Sequence, residues 1–492
     1  MALPNISGKI ISGSFWMILM RWSSRLLGIA SVIILARILV PEDYGLVAQA
    51  VLFSSLLELI TQFGFYIAII RNKNSSVAEY NTVWTLSVLR GLILALVVCL
   101  SATFIADFFS EPRIYPLMFV YALVIFINGL MNVGVVDFQK YMQFDKDFRL
   151  NISSRLTGFI VTMVIAIIYK SYWAFPLGSL AGAMVKVIVS YTMSAFRPRF
   201  TLSDFSNIFN FSKWFFIYES LNAFSTKLDT FLLSKFSSTE ALGLYTVSNE
   251  ISAMPSTEVA MPVARASLPA LAQYADNLAE FRKLYTQVLV SVLFIAIPAS
   301  VGISVLADYI VALALGSNWS DAAIYIKILA FLGITKVNVS CAVAALAAVG
   351  RANMLGQYSA IMFAIRLVTM TAGVLLYDAI GLAYGALIAS FIGMLLIHHL
   401  QQKIQLISFS GMFKGLWRVI VSAGIMWLVL YFLCQQIAQI IPNLSVALVT
   451  IGLVLLGGLI YMLSLVSLCS IMDWPEGPEK SYFMTIKKAF AR

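Results

Sequence analysis

The stretch IILARILVPEDYGLVAQA at 33–50 and the stretch FLLSKFSSTEALGLYTVS at 231–248 align without a gap at an offset of about 198 residues. Leu35, Glu42, Gly45 and Leu46 meet Leu233, Glu240, Gly243 and Leu244, and Arg37 stands opposite Lys235. The register runs backwards as well, pairing Ile10, Ser14 and Trp16 with Ile208, Ser212 and Trp214. Apolar helices share residues by chance because they draw on few types. A charge and a glycine shared in the connecting turn are harder to obtain that way, so the chain reads as an internal duplication.

Around these segments the chain is strongly apolar. Of its 492 residues 61% are hydrophobic and 11% charged, well beyond a soluble domain. Apolar stretches of about 20 residues, each able to cross about 30 Å of hydrocarbon, recur to about position 470. Spans are expected at 12–35, 44–66, 82–106, 114–134, 152–169, 172–194, 210–234, 241–264, 286–311, 322–347, 354–377, 379–400, 415–436 and 444–470. The expected fold is therefore an all-α polytopic membrane protein of roughly fourteen transmembrane helices. About six spans separate the two copies, so the repeats are parallel and related by an axis along the membrane normal. This gives two pseudo-symmetric six-helix bundles, 1–199 and 200–403, with an appended helix pair and tail at 404–492.

With the N-terminus inside, inner segments hold roughly 20 Lys and Arg against roughly 4 outside, where Arg37, Arg113, Lys170 and Lys235 lie. Both termini are expected in the cytoplasm. The net charge of +10 is thus spread over many loops, without the dense basic stripe of a nucleic-acid binder. It would favour anionic headgroups of the inner leaflet. Cys99, Cys341, Cys434 and Cys469 fall inside spans with no paired spacing, so neither a disulfide framework nor a metal site is expected. No cleaved signal peptide is expected, because MALPNISGK leads into a long span carrying Arg21 and Arg25 without a small-residue cleavage site.

Charges inside spans are costly and need a partner or a wet cavity. In the first span Arg21, Ser24, Arg25, Gly28 and Ser31 recur at spacings of three and four, forming one polar stripe. In the seventh, Glu219, Asn222, Thr226 and Asp229 repeat the design, with Glu219 at the position of Arg21 and Asp229 at that of Ser31. Lys227 borders the second stripe. The two stripes are expected to line a central cavity that is basic on one side and more acidic on the other.

Arg21 and Arg25, with Lys227 and with Arg366 of the eleventh span, suit a diphosphate, which a guanidinium fork can hold away from water. The alternative for the two arginines is pairing with Glu58 or Glu219 that merely holds helices together. Asp229 and Glu219 are candidates for loading a proton or sodium ion, or else for salt bridges to Lys227 or Arg21. Arg90, Arg155, Lys186, Lys327 and Lys336 show no stripe, and those near span ends would snorkel to the interface. Pro255, Pro262 and Pro298 are candidate hinges or static kinks. His398 and His399 are expected at a solvated helix end, and 267–285 as an amphipathic helix on the inner surface.

Three stretches carry a family resemblance. LARILVPEDYGLVA at 35–48, LDTFLLSKFSSTEALGLY at 228–245 and GSNWSDAAIYIKILAFLG at 316–333 resemble bacterial polysaccharide exporters. These are oligosaccharide flippases of the multidrug/oligosaccharidyl-lipid/polysaccharide superfamily, colanic-acid-type exporters among them. Ser237, Ser238 and Thr239 depart from the Leu-Gly-Pro often found at that turn. The resemblance implies a bacterial inner-membrane flippase carrying undecaprenyl-pyrophosphate-linked repeat units for lipopolysaccharide or exopolysaccharide assembly by alternating access. It implies a lipid-linked oligosaccharide and membrane lipids as partners, with a polysaccharide polymerase and other assembly proteins nearby.

No cofactor is expected beyond a coupling H+ or Na+. No phosphate-cradling Gly-x-x-x-x-Gly-Lys-Ser/Thr occurs, so ATP hydrolysis by the chain is disfavoured and no enzyme is expected. A multidrug antiporter or lipid II flippase of the same superfamily is the alternative. A membrane glycan polymerase or ligase is a weaker one, because every expected outer loop is short.

Overall fold

The computed structural model describes residues 6–61, 66, 69–70, 75–205, 224–257, 262, 271, 273–274, 277–407, 409–440 and 445–472. Every regular element among them is helical. In hydrocarbon each backbone N–H and C=O must be satisfied within its own segment, and a helix does this alone. Among the described residues nine helices are long and apolar enough to cross a membrane, or ten if one bent pair counts as a span. The chain is thus a multi-pass helical membrane protein.

It divides into two compact units, Met1–Gly243 and Leu244–Arg492. The first unit contains α1 (Ile6–Ala36), α2 (Pro41–Ile60), α3 (Val77–Phe108), α4 (Ile114–Gly129), α5 (Val136–Lys140), α6 (Phe144–Tyr169) and α7 (Ala174–Met193). It also takes in helical residues 224–236 (α8) and the first turn of α9 (Thr239–Pro255).

Its helices pack as hairpins α3–α4 and α6–α7, with α1 against α6 and α2 against α4. One core joins α2, α3 and α4 through Leu46, Leu94, Val98, Ile105, Leu117, Met118 and Ile125. The α6–α7 hairpin turns at Lys170, whose backbone is left-handed (φ 46°, ψ 47°). It closes on glycine: a Cβ on Gly178 would overlap the Thr162 hydroxyl and sit 2.9 Å from the Gly158 carbonyl. Small residues let membrane helices approach where lipid gives no hydrophobic drive to associate.

The fourth span is not the straight helix expected over 114–134. It ends at Gly129 and resumes at Val133 with a 66° bend. The cause is Asn132, fully buried, whose own N–H donates to Ser190 Oγ at 3.0 Å. Its amide donates to the Phe196 carbonyl at 2.8 Å and its side-chain oxygen accepts from Gly134 N–H at 2.9 Å.

The second unit contains the rest of α9, then α10 (Leu278–Val305), α11 (Ala307–Ala314), α12 (Ala322–Leu329), α13 (Leu332–Ala348), α14 (Ala352–Lys403), α15 (Phe409–Ile440) and α16 (Val446–Ile471). Its core joins α10, α13, α15 and α16 through Leu289, Val292, Val337, Ala342, Val419, Leu430 and Leu453. The 52-residue α14 is broken at Tyr377 and Asp378, the latter at φ 53°. Its halves fold back on one another, since a Cβ on Gly373 would overlap the Gly381 carbonyl and one on Gly385 the Thr369 carbonyl. This matches the two spans expected at 354–377 and 379–400.

Of the expected amphipathic helix at 267–285 only part is described: Tyr274 and Leu278 are exposed, while Leu271, Phe281 and Tyr285 are buried in the second core, the last two within α10. One local expectation is corrected: His398 is only 3% exposed rather than solvated, although His399 beside it is exposed.

Between α3 and α4, Arg113 hydrogen-bonds Glu111 at 2.7 and 2.8 Å and reaches Glu42 at 2.5 Å. These bonds hold the Glu111 carboxyl below the usual carboxylate range. A depressed carboxyl pKa gives stability that is present above the unfolded value of about 4.3 and lost as pH falls through the folded value. Arg113 is exposed enough that water screens the pair, so Arg113→Met should cost about 0.5 kcal/mol at neutral pH and progressively less below about pH 4. Thermal unfolding of the detergent-solubilised protein measures this. By the same assay Gly178→Ile should destabilise by about 1–3 kcal/mol, because the α6–α7 contact has no room for a side chain.

Candidate functional site

On α1 the apolar face carrying Phe15, Ile18, Trp22, Leu26 and Ile33 is exposed. At 100° per residue Ser24, Gly28 and Ser31 fall on a different side of the helix, with Arg21 and Arg25 at its boundary next to Ile18. Ser24, Arg25, Gly28 and Ser31 are half-buried and Arg21 is exposed. A Cβ built on Gly28 meets nothing within 4 Å, so the stripe borders open space at that depth. The foot of α1 is fixed on α6 by Trp16 against Phe148, with ring centroids 5.2 Å apart.

Of the second stripe, Glu219 and Asn222 lie outside the described residues. Thr226 is exposed on α8, while Lys227 and Asp229 are half-buried. The Asp229 carboxylate accepts from the Thr230 N–H at 2.8 Å. Arg366 is half-buried midway along the first half of α14. Pro298 interrupts α10 internally, and Pro255 ends α9, after which the backbone widens into a π turn at 256–257. Pro262 is helical, with its immediate neighbours outside the described residues.

The structure supplies partners for charges that the sequence left isolated. Lys186 on α7 lies within electrostatic reach of Asp147 and Arg155, two turns apart on α6. Asp147, only 9% exposed, accepts from Asn151 Nδ2 at 3.0 Å and from Gln139 Nε2 at 3.3 Å. Glu58 on α2 faces Arg90 on α3, and Arg90 Nη1 donates to the Thr61 carbonyl at 3.0 Å. Arg90 is therefore a neighbour of Glu58 that sequence spacing could not name, since the two belong to different helices.

In the second unit His398 Nδ1 lies 3.1 Å from Gln401 Oε1, and Gln401 Nε2 donates to the Tyr285 hydroxyl at 3.0 Å. Arg418, inside the expected span 415–436, is 2% exposed within α15. Lys327 on α12 is ion-paired to Asp308 on α11 at 2.8 Å. The pair borders a cavity of about 430 Å³ that Leu244, Ser320, Asp321 and Tyr325 also line. Among the described residues no three His, Cys, Asp or Glu side chains gather as metal ligands.

Apolar spanning helices that carry ionisable side chains within them define a polytopic membrane protein of the transporter class. Residues 34–324 match the family described as "Polysaccharide biosynthesis protein", and the chain belongs to that family. It is 24% identical over 401 residues to the lipopolysaccharide biosynthesis protein WzxC of Escherichia coli (strain K12), covering 80% of this chain and 81% of that one. It is 23% identical over 457 residues to the succinoglycan biosynthesis transport protein ExoT of Rhizobium meliloti (strain 1021), covering 89% and 90%. Its fold resembles that of the lipid II flippase MurJ in an inward closed conformation. There the TM-score is 0.75 at 14% identity, over 94% of this chain and 100% of that one.

The Asp147–Lys186 arrangement is testable by a double-mutant cycle. Lys186→Leu or Asp147→Leu alone should each destabilise by about 1 kcal/mol, because each removes a charge that the other feels across a partly buried interior. The double variant should be more stable than the sum of the two losses implies, with a coupling on the order of 1 kcal/mol in thermal unfolding.

Proposed function

We propose that the chain flips an undecaprenyl-pyrophosphate-linked oligosaccharide from the inner to the outer leaflet of a bacterial cytoplasmic membrane, for surface polysaccharide assembly. Both termini face the cytoplasm, as the distribution of Lys and Arg indicates. The halves 1–199 and 200–403 alternate access, the pair within 404–492 is peripheral to that cycle, and no covalent chemistry is involved. The observation that carries the reading is the α1 stripe, where Arg21, Ser24, Arg25 and Ser31 recur at helical spacing beside the open space at Gly28.

A diphosphate is the part of such a substrate that hydrocarbon rejects most strongly. Guanidinium groups within the membrane offset that cost by charge-assisted hydrogen bonds. Lys227 and Arg366 are assigned to the same headgroup. Asp229 and Glu219 are assigned to loading the driving proton or sodium ion, since a carboxylate in a low-dielectric cavity exchanges protons readily. Pro255, Pro262 and Pro298 are assigned to the bending of their helices during the cycle. The glycan-linked lipid and bilayer lipids are the partners, and a polymerase receives the exported unit.

The test is reconstitution in liposomes carrying an undecaprenyl-pyrophosphate oligosaccharide, with an impermeant glycosidase reporting glycan exposure. Protein-dependent exposure is expected, accelerated by a proton or sodium gradient. Arg21→Ala/Arg25→Ala should slow it by about tenfold or more, the loss expected when one or two charge-assisted hydrogen bonds of about 1.5–3 kcal/mol go. Exposure unaffected by the double substitution would remove the arginines from the site. No exposure with any glycan would favour a cation-coupled drug antiporter.

A further inference from the structure

The repeat-related glycines Gly45 and Gly243 touch each other, both within the first compact unit. A Cβ on Gly45 would overlap the Thr239 carbonyl oxygen and lie 3.1 Å from Gly243 N. A Cβ on Gly243 would overlap the Pro41 carbonyl oxygen and lie 3.0 Å from Gly45 N. Thr239 stands to Pro41 as Gly243 stands to Gly45, at the same offset as the duplicated segments. The contact is therefore reciprocal: each element of one copy meets its own counterpart in the other. Under two-fold symmetry only residues at the axis can do this.

The hydrogen that a Cβ would replace points, on each glycine, at the opposite carbonyl. The pair thus forms two mirrored Cα–H···O contacts, a weak interaction recurrent where helices cross closely. No side chain intervenes, so the first turns of α2 and α9 meet backbone to backbone. The turns leading into them are built differently to deliver the same geometry. In the first copy Pro41 occupies the first helical position and Asp43 Oδ2 accepts from Val40 N–H at 3.2 Å. In the second, Ser238 Oγ accepts from Ala241 N–H at 3.1 Å as an N-cap.

A further contact of the seventh-span segment lies beside the crossing. Lys235 Nζ donates to the Phe108 carbonyl at 2.8 Å and sits 4.0 Å from the centre of the Phe108 ring. Phe231 stacks on the same ring at 6.3 Å. Phe108 closes α3 and Lys235 lies in the last turn of α8, so they lie on the same side as Pro41 and Thr239, which open α2 and α9, the outer side on the proposed topology.

We propose that the Gly45–Gly243 crossing is the closed outer gate of the transport path. It shuts on the pseudo-two-fold axis by backbone contact alone and must part for substrate to leave. A gate made of weak Cα–H···O contacts, with one exposed lysine beside it, closes tightly yet opens at small cost. Glycine is required on both sides because any side chain would prop the crossing apart. The inference rests on the two-sided access proposed above, but it concerns conformation and needs no glycan to test.

The experiment uses the full chain in proteoliposomes with its four native cysteines replaced. Gly28→Cys, which faces open space, reports access from the outer side to an impermeant maleimide. Gly45→Ala or Gly243→Ala should raise its labelling rate about tenfold, while Gly452→Ala, whose Cβ meets nothing within 4 Å, should leave it unchanged. A second variant keeps both glycines. Glu42→Cys/Glu240→Cys, exposed counterparts flanking the crossing, are joined by a short bis-methanethiosulfonate, each thiolate displacing a sulfinate to form a reducible mixed disulfide. Joining should suppress outer labelling of Gly28→Cys, read on its own peptide, and reduction should restore it. Labelling unchanged by Gly45→Ala, or unchanged by the linker, would overturn the gate and leave the crossing a fixed pivot. Failure of glycan transport with the labelling pattern intact would overturn the substrate assignment alone.

Discussion

Close approach of helix backbones is the interaction on which the rest of this structure depends. Lipid tails are as apolar as leucine, so burying Leu or Val against another helix gains little over leaving it in the bilayer. What holds the bundles together is contact density and the occasional hydrogen bond, and glycine provides both by removing the side chain between two axes. Gly91 meets Gly129 in the α3–α4 hairpin, Gly158 meets Gly178 and Gly182 in α6–α7, and Gly373 meets Gly381 across the break in α14. Each pair sits within a hairpin, where the short turn already limits how far the helices can separate. The Gly45–Gly243 crossing is the exception, since nearly two hundred residues separate its partners. A weak contact that no turn enforces is one that can come apart.

Charge is the second constraint, and it acts across helices rather than along them. Asp147 is half of an arrangement whose other half, Lys186, lies on the next helix, and Glu58 faces Arg90 in the same fashion. A buried carboxylate without such a neighbour would lose several kcal/mol of solvation with nothing to offset it. Around Asp147 the remaining acceptor capacity is taken up by Asn151 and Gln139. On α1, Arg21 is exposed and Arg25 half-buried, with open space beside Gly28 one turn further along.

Much of the topology was legible because a spanning helix announces itself by length and hydropathy, properties local to one segment. The break at Asp378 and the turn at Lys170 were legible as short polar interruptions. The bend at 130–132 was not, because its cause is Asn132 bonding to Ser190 and Phe196, residues far along the chain. The burial of His398 escaped for the same reason: its neighbour Gln401 is one turn away, but Tyr285 comes from α10. The Ser237–Thr239 turn looked like a local loss of family character. Its chemistry is an alternative N-cap, in which Ser238 Oγ takes the orphan N–H of Ala241, so the helix starts where Pro would have started it. The Arg21 and Arg25 stripe was readable because helical spacing places such residues on one face, whereas the neighbours of Lys186 required the fold.

The duplication explains why the two copies agree in some residues and differ in others. Gly45 faces its own counterpart Gly243, so a residue acceptable at this position in one copy must be acceptable against itself. Two side chains larger than hydrogen cannot both occupy that point, which forces glycine at 45 and at 243 alike. Where no such self-contact applies, charge is free to diverge: Arg21 corresponds to Glu219, and Ser31 to Asp229. Sequence identity between the copies is thus concentrated where backbone geometry is shared, at Leu35, Glu42, Gly45 and Leu46 with their mates.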